Sequence, residues 1–337
     1  MPFLDLSQDA AAMRRVLVGL GLAAAGEEVV ATPLAGGVSS GIYRIPLASG
    51  TYCLKQALPQ LKVAKEWKVP VQRVFHEIDW LRTAAAIVPG HVPQVLGEDE
   101  ATMSFVMEYL GGDRRPWKAD LLAGIVRPDT ARELGDVLGA IHAATADDPA
   151  VAQRFRTDAN FHAIRLEPYL VEASRVHPLL ADRLLATVER TATTRRVLVH
   201  GDVSPKNVLV GGSRAVLLDA ECAWFGDPAF DLAFCLNHFL LKAAHLPARA
   251  ADLLACFDGF VAAYLAHVHW EPVDAIQARA SALLPGLALA RVDGKSPVEY
   301  LTEARRQVVR EASLRLLRAT PTTLDRLAQR WAQDCTA

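Results

Sequence analysis

The N-terminal third of the chain alternates apolar and polar positions with the two-residue period of half-buried strands. Turn residues such as Ser49-Gly50 and Pro89-Gly90 interrupt the pattern. One stretch, residues 71–86, has the three-to-four-residue spacing of a helix instead, with Val74, Ile78 and Leu81 on one face. The pattern therefore predicts one helix and five strands, at residues 28–34, 42–47, 51–56, 92–97 and 102–108.

Helical spacing dominates after a turn at Gly111-Gly112-Asp113. Five helices are predicted, at residues 130–144, 179–191, 230–245, 248–268 and 298–317. Two short apolar runs, at residues 198–199 and 215–218, lie between the second and third of these helices and are typical of strands. The change of pattern predicts two domains, residues 1–109 and residues 110–337.

Composition narrows the class of protein. The 337 residues are 51% hydrophobic with a formal net charge of −2, and the sequence contains no basic face or basic tail. This argues against a nucleic-acid or membrane partner. The five cysteines form no C-x-x-C pair, which is typical of buried thiols in a reducing, cytoplasmic compartment. Residues 13–26 resemble a signal peptide, but Asp5 and Asp9 precede them, so we interpret them as an amphipathic helix ending near residues 19–21.

The segment His200-Gly201-Asp202-Val203-Ser204-Pro205-Lys206-Asn207 carries the strongest chemical signal. It has the pattern H-x-D-x-x-x-x-N, and a second strand then ends at Asp219. An Asp, an Asn five positions later and an Asp after the next strand can position a hydroxyl and hold magnesium against ATP phosphates. The pattern predicts kinase-type phosphoryl transfer.

Gly201 stands where protein kinases carry Arg, and the run Gly226-Asp227-Pro228-Ala229-Phe230-Asp231 follows downstream. With these features, residues 34–231 resemble the aminoglycoside phosphotransferase and choline kinase family of small-molecule kinases. The resemblance implies an α+β, bilobal protein-kinase-like fold. Residues 1–109 would be a nucleotide-binding N-lobe with an N-terminal helix and a five-stranded antiparallel sheet with a helix. Residues 110–337 would be a mostly helical C-lobe with the catalytic loop and substrate site.

The resemblance also implies roles for the motif residues. Asp202 would accept a hydrogen bond from the substrate hydroxyl and aim it at the γ-phosphorus. Asn207 and Asp219 would be the magnesium ligands, because that ion prefers hard oxygen donors. Lys206 would offset charge on the transferred phosphoryl group, or remain a solvated loop cation.

Three further acidic or imidazole side chains receive supporting roles. His200 is interpreted as holding the loop through backbone hydrogen bonds rather than as an acid or base. Asp231 would hydrogen-bond the catalytic loop from below. Glu221 would contact substrate or metal-bound water, or cap its loop.

The N-lobe contributes a second set of expected contacts. Lys55 lies where the family's ATP-phosphate lysine belongs, and Glu77 on the predicted helix is its expected partner, with Glu66 as the alternative. A turn at residues 36–41 would cap the phosphates, through the backbone and hydroxyls of the three residues Ser39, Ser40 and Gly41. The adenine-binding hinge is expected at residues 107–110, through backbone groups of Glu108 and Leu110.

The phosphate acceptor is the least determined part. We interpret residues 291–300 as a polar loop on the substrate side, in which Arg291, Lys295 and Glu299 are the tentative contacts. A sugar, amino alcohol, hydroxy acid or aminoglycoside-like acceptor fits, with ATP (or GTP) and Mg2+ as cofactors. The alternative is a catalytically weak or inactive nucleotide-binding regulatory protein. A protein kinase is disfavoured, because Gly201 replaces Arg and no Ala-Pro-Glu segment follows Asp219.

Overall fold

The computed structural model describes residues 3–34, 39–60 and 70–335. The chain divides into two compact units, Met1–Gly112 and Asp113–Ala337.

A five-stranded antiparallel sheet forms the body of the N-terminal unit, with strand order β1-β2-β3-β5-β4. Its strands are β1 (Thr32–Pro33), β2 (Ser40–Leu47), β3 (Gly50–Ala57), β4 (Val95–Asp99) and β5 (Ser104–Glu108). The helices are α1 (Ala10–Gly19) and α2 (Arg73–Ile87). The predicted order of three strands, a helix and two strands is therefore present.

Two local predictions for this sheet are wrong. Ser40 and Gly41 are not turn residues, because they pair with Ala57 and Gln56 and so begin β2. The strand predicted at residues 28–34 is only the two-residue β1, an exposed edge strand with no face to bury. Residues 35–38, the glycine-rich part of the predicted turn, lie outside the described residues, as does Glu66.

Helix α1 packs on one face of the sheet. Its N-cap Asp9 accepts a hydrogen bond from the Ala12 amide at 2.8 Å, and its apolar side is buried against Ile45, Leu54 and Val106. The amphipathic helix predicted for this segment is confirmed. On α2, the three residues predicted to share a face, Val74, Ile78 and Leu81, are all buried.

The C-terminal unit is mostly helical. Its helices are α3 (Trp117–Leu122), α4 (Pro128–Thr145), α5 (Pro149–Arg154), α6 (Asp158–Phe161), a π-helix (His162–Val171), α7 (Glu172–Val176), α8 (Ala181–Thr193), α9 (Pro228–His245), α10 (Ala250–Leu265), α11 (Val273–Asp293), α12 (Glu303–Arg318) and α13 (Leu324–Cys335). Short 3₁₀ turns occur at Pro178–Leu180, Pro205–Asn207 and Pro247–Arg249.

Helix α11 is not predicted by the sequence pattern. Its second half is almost entirely apolar and is buried all round from Leu283 to Ala290, so no amphipathic period marks it. Pro285 also stands in its interior, where a proline normally indicates a break. Because α11 continues to Asp293, Arg291 is a helical residue and not part of a loop.

Five short strands hold the motif loops of this unit. They are β6 (Arg115–Pro116), β7 (Val197–Val199), β8 (Val208–Val210), β9 (Val216–Leu217) and β10 (Trp224–Gly226). β7 pairs with β10, and β8 pairs with both β6 and β9, all antiparallel.

Helix α9 is the central element of this unit. It starts at the N-cap Asp227, which accepts from the Ala229 amide at 3.0 Å, and every residue from Pro228 to Ala244 is buried. Within the part of the chain that is described, no helix is both long and apolar enough to cross a membrane.

Candidate active site

The motif residues 200–207 form the loop between the buried strand β7 and strand β8. The Leu218 amide donates to the Asn207 carbonyl at 2.8 Å, so the end of β9 is tied to the end of this loop. Asp219 follows directly. The fold therefore brings the two segments of the motif together, as their spacing predicts for a strand–loop–strand arrangement.

Asp231, on the first turn of α9, supports the loop from within the protein. Its two carboxylate oxygens accept hydrogen bonds from the backbone amides of His200 at 2.7 Å and Gly201 at 2.8 Å. The side chain is fully buried, and His142 on α4 approaches the same carboxylate at 3.3 Å. A charged acceptor shared by two consecutive amides fixes the backbone just before Asp202.

His200 links the loop to the neighbouring strand end. Its Nδ1 accepts from the Asp202 amide at 3.1 Å, so its Nε2 must carry the proton that it donates to the Leu218 carbonyl at 3.1 Å. Burial lowers the pKa of this imidazole below its ordinary value. A neutral ring with both nitrogens engaged has a positioning role and no free proton to exchange.

Gly201 is required by the local geometry. Its φ of +79° lies in the left-handed region, and an added Cβ would lie 2.7 Å from both Cβ and the carbonyl oxygen of Cys222. The arginine that protein kinases carry at this position would not fit here.

Asp202 lies between two cations. Its Oδ2 is 2.7 Å from Nη2 of Arg165 and 3.0 Å from Nζ of Lys206. Burial acts to raise the pKa of Asp202, but the charges of Arg165 and Lys206 outweigh it and hold the pKa below its usual value. The carboxylate is therefore ionised at neutral pH and can only accept hydrogen bonds.

Arg165 is a site residue that no sequence motif indicated. This residue lies 37 positions before Asp202, on the π-helix, and its guanidinium also donates to the Gly201 carbonyl and lies 5.5 Å above the Phe234 ring. No spacing rule connects the two segments. The only available signal was the presence of two charged residues, Arg165 and Glu167, among the mostly apolar positions 164–170.

The local geometry of Asn207 and Asp219, the expected magnesium ligands, is defined by one hydrogen bond and one left-handed backbone conformation. The Asn207 Nδ2 donates to the Asp202 carbonyl at 3.1 Å, which turns the side-chain oxygen the other way. Asp219 has a φ of +68°, a left-handed conformation that Asp tolerates better than most residues. Among the described residues no cluster of three His, Cys, Asp or Glu side chains could hold a metal by itself.

Glu221 lies just beyond this point. Its side chain is half-buried, and its carbonyl accepts from Nδ2 of Asn160 at 2.9 Å. That bond ties the segment after Asp219 to helix α6.

In the N-terminal unit, Lys55 on β3 pairs with Glu77 on α2. The Nζ atom is 2.8 Å from Oε1 and 2.7 Å from Oε2, and both side chains are nearly inaccessible, at 3% and 2% exposed. A buried ammonium clamped by both carboxylate oxygens has a fixed position and direction. The structure thus brings together the lysine and the carboxylate that sequence analysis paired.

Ser39 and Ser40 are buried, and their backbone is fixed by an arginine that sequence analysis did not identify. The Ser39 carbonyl accepts from the Leu58 amide at 3.0 Å and from the Arg73 guanidinium, which also donates to the Leu58 carbonyl at 2.8 Å. Arg73 therefore fixes the entry to β2, immediately before Gly41.

The predicted hinge begins at the end of β5. The Glu108 amide donates to the Gln94 carbonyl at 3.0 Å, and the Gln94 amide donates to the Glu108 carboxylate at 3.0 Å. These bonds commit the Glu108 amide to the sheet. Leu110 comes two residues after the strand, within the same unit.

The tentative acceptor contacts are engaged with other residues of the C-terminal unit. Arg291 donates to the carbonyl and hydroxyl of Ser296. Lys295 forms an ion pair with Glu167 at 2.7 Å, and Glu299 forms one with Lys118. Arg291 therefore shapes its own segment, and the other two side chains lie in partly exposed ion pairs.

Comparison with known proteins settles the family. Residues 30–276 match the phosphotransferase enzyme family. The chain belongs to that family. The resemblance inferred from the motif segment is thereby confirmed, and the matched range extends beyond residue 231, where the visible similarity ended.

One curated relative of this phosphotransferase is the methylthioribose kinase of Pectobacterium atrosepticum (strain SCRI 1043). The two are 28% identical over 224 residues, which are 59% of this chain and 56% of the relative. The match therefore spans little more than half the length of that protein.

Two solved structures resemble the chain over most of its length. A Plasmodium vivax ethanolamine kinase has a TM-score of 0.56 at 13% identity and covers 89% of this chain and 86% of its own. An amicoumacin kinase, solved with AMP-PNP, Ca2+ and Ami, has a TM-score of 0.55 at 16% identity and covers 93% of this chain and 97% of its own. At such low sequence identity, the similarity of the structures concerns the fold alone. It confirms the predicted kinase-like fold.

Proposed function

We propose that this phosphotransferase moves the γ-phosphate of ATP, with Mg2+, to a hydroxyl of a small molecule. The observation that carries the proposal is the environment of Asp202: an ionised carboxylate on a loop whose backbone Asp231 fixes, with a cation on either side. Membership of the phosphotransferase family supports the reaction class.

Asp202 would accept the hydrogen bond of the acceptor hydroxyl and hold its oxygen in line with the γ-phosphorus. Because the transition state of phosphoryl transfer is loose, positioning matters more than early removal of the proton. An Asp with a lowered pKa is suited to that task, since it stays ionised. Arg165 would hold the carboxylate in place, and the half-exposed Lys206 would be free to turn toward a phosphoryl group.

The metal site requires the side-chain oxygens of Asn207 and Asp219. Magnesium prefers hard oxygens and keeps several waters and phosphate oxygens as ligands, so an amide and a carboxylate fit it without a protein cage. When bound, the ion would neutralise charge on the phosphates. In the N-terminal unit, Lys55, aimed by Glu77, would bind nucleotide phosphates, and the backbone near Ser39, Ser40 and Gly41 would cap them.

The first test measures melting temperature with ATP or GTP, each with and without Mg2+. A ligand at about 100 times its dissociation constant stabilises by about 2.7 kcal/mol, which a melting curve resolves. We expect a magnesium-dependent shift with at least one nucleotide. Asp219→Asn should reduce that shift at limiting Mg2+, and a wild-type protein that binds neither nucleotide would contradict the proposal.

The second test measures ADP release with a panel of hydroxyl compounds that includes methylthioribose and ethanolamine, the acceptors named for the relatives. Asp202→Asn should lower kcat by about 10² to 10⁴ while leaving nucleotide affinity nearly intact. The exposed Asp129→Asn on α4 is the matched control and should behave as wild type. Nucleotide binding without turnover on any acceptor would favour the inactive regulatory alternative.

A further inference from the structure

Lys242, near the end of α9, is buried without a charge partner. Its side chain is 1% exposed, and none of the ion pairs among the described residues includes it. The ammonium instead lies over the Tyr300 ring, 5.3 Å from the centroid. The Tyr300 hydroxyl is also buried and has no hydrogen-bond partner among the described residues. A buried lysine without an ion-pair partner and a buried hydroxyl without a hydrogen-bond partner thus lie in neighbouring side chains, an arrangement that is costly for a fold unless a ligand completes it.

The surroundings of Lys242 are positive. Burial lowers its pKa to about 7, and the charges of Lys118 and Arg291 act in the same direction, against weaker opposition from Cys235 and Glu299. The His238 imidazole, one turn earlier on α9, has its pKa lowered well below the usual value, first by burial and then by Lys242, Arg291, Lys206 and Lys118. Four cations therefore act on one buried imidazole.

The same face of α9 leads toward Asp202. Phe234, His238 and Lys242 recur at four-residue intervals, which places them on one side of the helix. The Phe234 ring lies 5.5 Å from the Arg165 guanidinium and 5.6 Å from the His238 ring. Since Arg165 binds Asp202, Lys242 belongs to a row of side chains that begins at the carboxylate proposed to position the acceptor hydroxyl.

We infer that Lys242 and Tyr300 form a subsite for an anionic group, a carboxylate or a phosphate, on the acceptor whose hydroxyl Asp202 positions. The inference rests on the proposed function and narrows its substrate class. Such an anion would accept hydrogen bonds from the ammonium and the phenol and would supply the missing negative charge. A cationic acceptor, such as choline or an aminoglycoside, would be repelled by Arg291 and Lys242.

The test needs no variant at first. Wild-type ADP release is measured with sets of acceptors that share a carbon skeleton: glycerol, glycerate, glycerol 3-phosphate and ethanolamine, and then glucose, gluconate, glucose 6-phosphate and glucosamine. We expect kcat/KM at least about 10-fold higher for an anionic member than for its neutral or cationic counterparts. The two anionic members of each set separate carboxylate from phosphate. A best acceptor that is neutral or cationic in both sets would overturn the inference.

Two variants then test whether Lys242 and Tyr300 cause the preference for an anionic acceptor. Lys242→Gln should raise the KM for the preferred anionic acceptor at least about 10-fold and leave the KM for ATP unchanged. Tyr300→Phe removes only the hydroxyl and should raise the acceptor KM by a smaller factor. The control is Arg249→Gln, an exposed residue of the same unit paired with Asp252, which should leave both constants unchanged. Unchanged acceptor KM in both test variants would contradict the assignment even if wild type prefers anions.

The two proposals fail in different ways. If turnover occurs but only on neutral or cationic acceptors, the anionic subsite is wrong and the kinase reaction stands. If no nucleotide binds, the kinase reaction itself is wrong, and the acceptor subsite falls with it.

Discussion

At the scale of single residues, the same lysine that could select an acceptor should weaken the unliganded fold. Lys242 is surrounded by Lys118, Arg291 and His238, with Glu299 and Cys235 as the opposing groups and Tyr300 as a neutral neighbour. Its pKa of about 7 lies well below the ordinary 10.5 of an unfolded chain. Between these values the unfolded state binds more protons than the folded state, so stability must rise with pH across that window.

We predict that Lys242→Met is more stable than wild type at about pH 7, and that the difference shrinks toward about pH 10. The expected gain at the lower pH is on the order of 3–5 kcal/mol, from a shift of several pKa units in a buried group. Urea unfolding of both proteins across this range measures it, and the other titrating groups cancel in the difference. Parallel pH curves for the two proteins would mean that Lys242 does not titrate as described.

Gly201→Ala tests a second single-residue requirement. The left-handed backbone should cost about 1–2 kcal/mol, and overlap with Cys222 should add about 1–3 kcal/mol and displace Asp202. Gly124→Ala is the matched control, because the φ of Gly124 is +74° but an added Cβ would lie 3.7 Å from its nearest neighbour, Cγ of Arg249. Unfolding free energies and kcat are compared. If the two variants lose equal stability and keep equal kcat, the close contact with Cys222 has no consequence.

At the scale of elements, the catalytic loop depends on helix α9 through one carboxylate. Asp231→Asn keeps the shape of that side chain but leaves one acceptor oxygen for two backbone amides. We expect kcat to fall about 10- to 100-fold with the KM for ATP unchanged, together with a loss of about 1–3 kcal/mol of stability. Steady-state kinetics and urea unfolding check both. Asp252→Asn, exposed on α10, serves as the control. A wild-type kcat for Asp231→Asn would show that the catalytic loop keeps its conformation without the Asp231 carboxylate.

Sequence patterns located those elements and contacts that depend on short-range order. The alternating strands of the N-terminal unit, helix α9 and the residues that end β7 and β9 all carry local signals. Lys55 and Glu77 could be paired because a family resemblance supplied the long-range connection. By contrast, α11 has no polar face, and Arg165 and Arg73 reach backbone carbonyls that are far away in the chain. A helix buried on all sides has no periodic pattern of apolar and polar residues. A hydrogen bond to a distant carbonyl produces no such pattern either.

At the scale of the whole molecule, the five cysteines report how well the interior is shielded from solvent. All are free and buried, in both units. Burial raises the pKa of Cys53, Cys256 and Cys335 to about 12 and that of Cys222 and Cys235 well above the usual value. Buried thiols with raised pKa values are poor nucleophiles.

We therefore predict that the native protein reacts slowly with Ellman's reagent at about pH 8, and that five thiols react promptly after unfolding in denaturant. The count and the rates come from a single absorbance trace. Addition of ATP and Mg2+ should change the native rates little. A thiol that reacts at the rate of free cysteine in the folded protein would show that one of the five sites is open to solvent.

The π-helix has a consequence for how a protein of this kind could acquire a new acceptor. Arg165 on this segment binds Asp202, and Tyr169, one turn later, takes the Arg291 guanidinium over its ring at 5.8 Å. A single deletion within this segment would change its helical register and displace Arg165, Tyr169 or both, according to its position. Insertions and deletions diversify ordinary surface loops, but within residues 162–171 they would disrupt the positions of these side chains. New specificity would have to arise there by exchange of side chains at constant chain length.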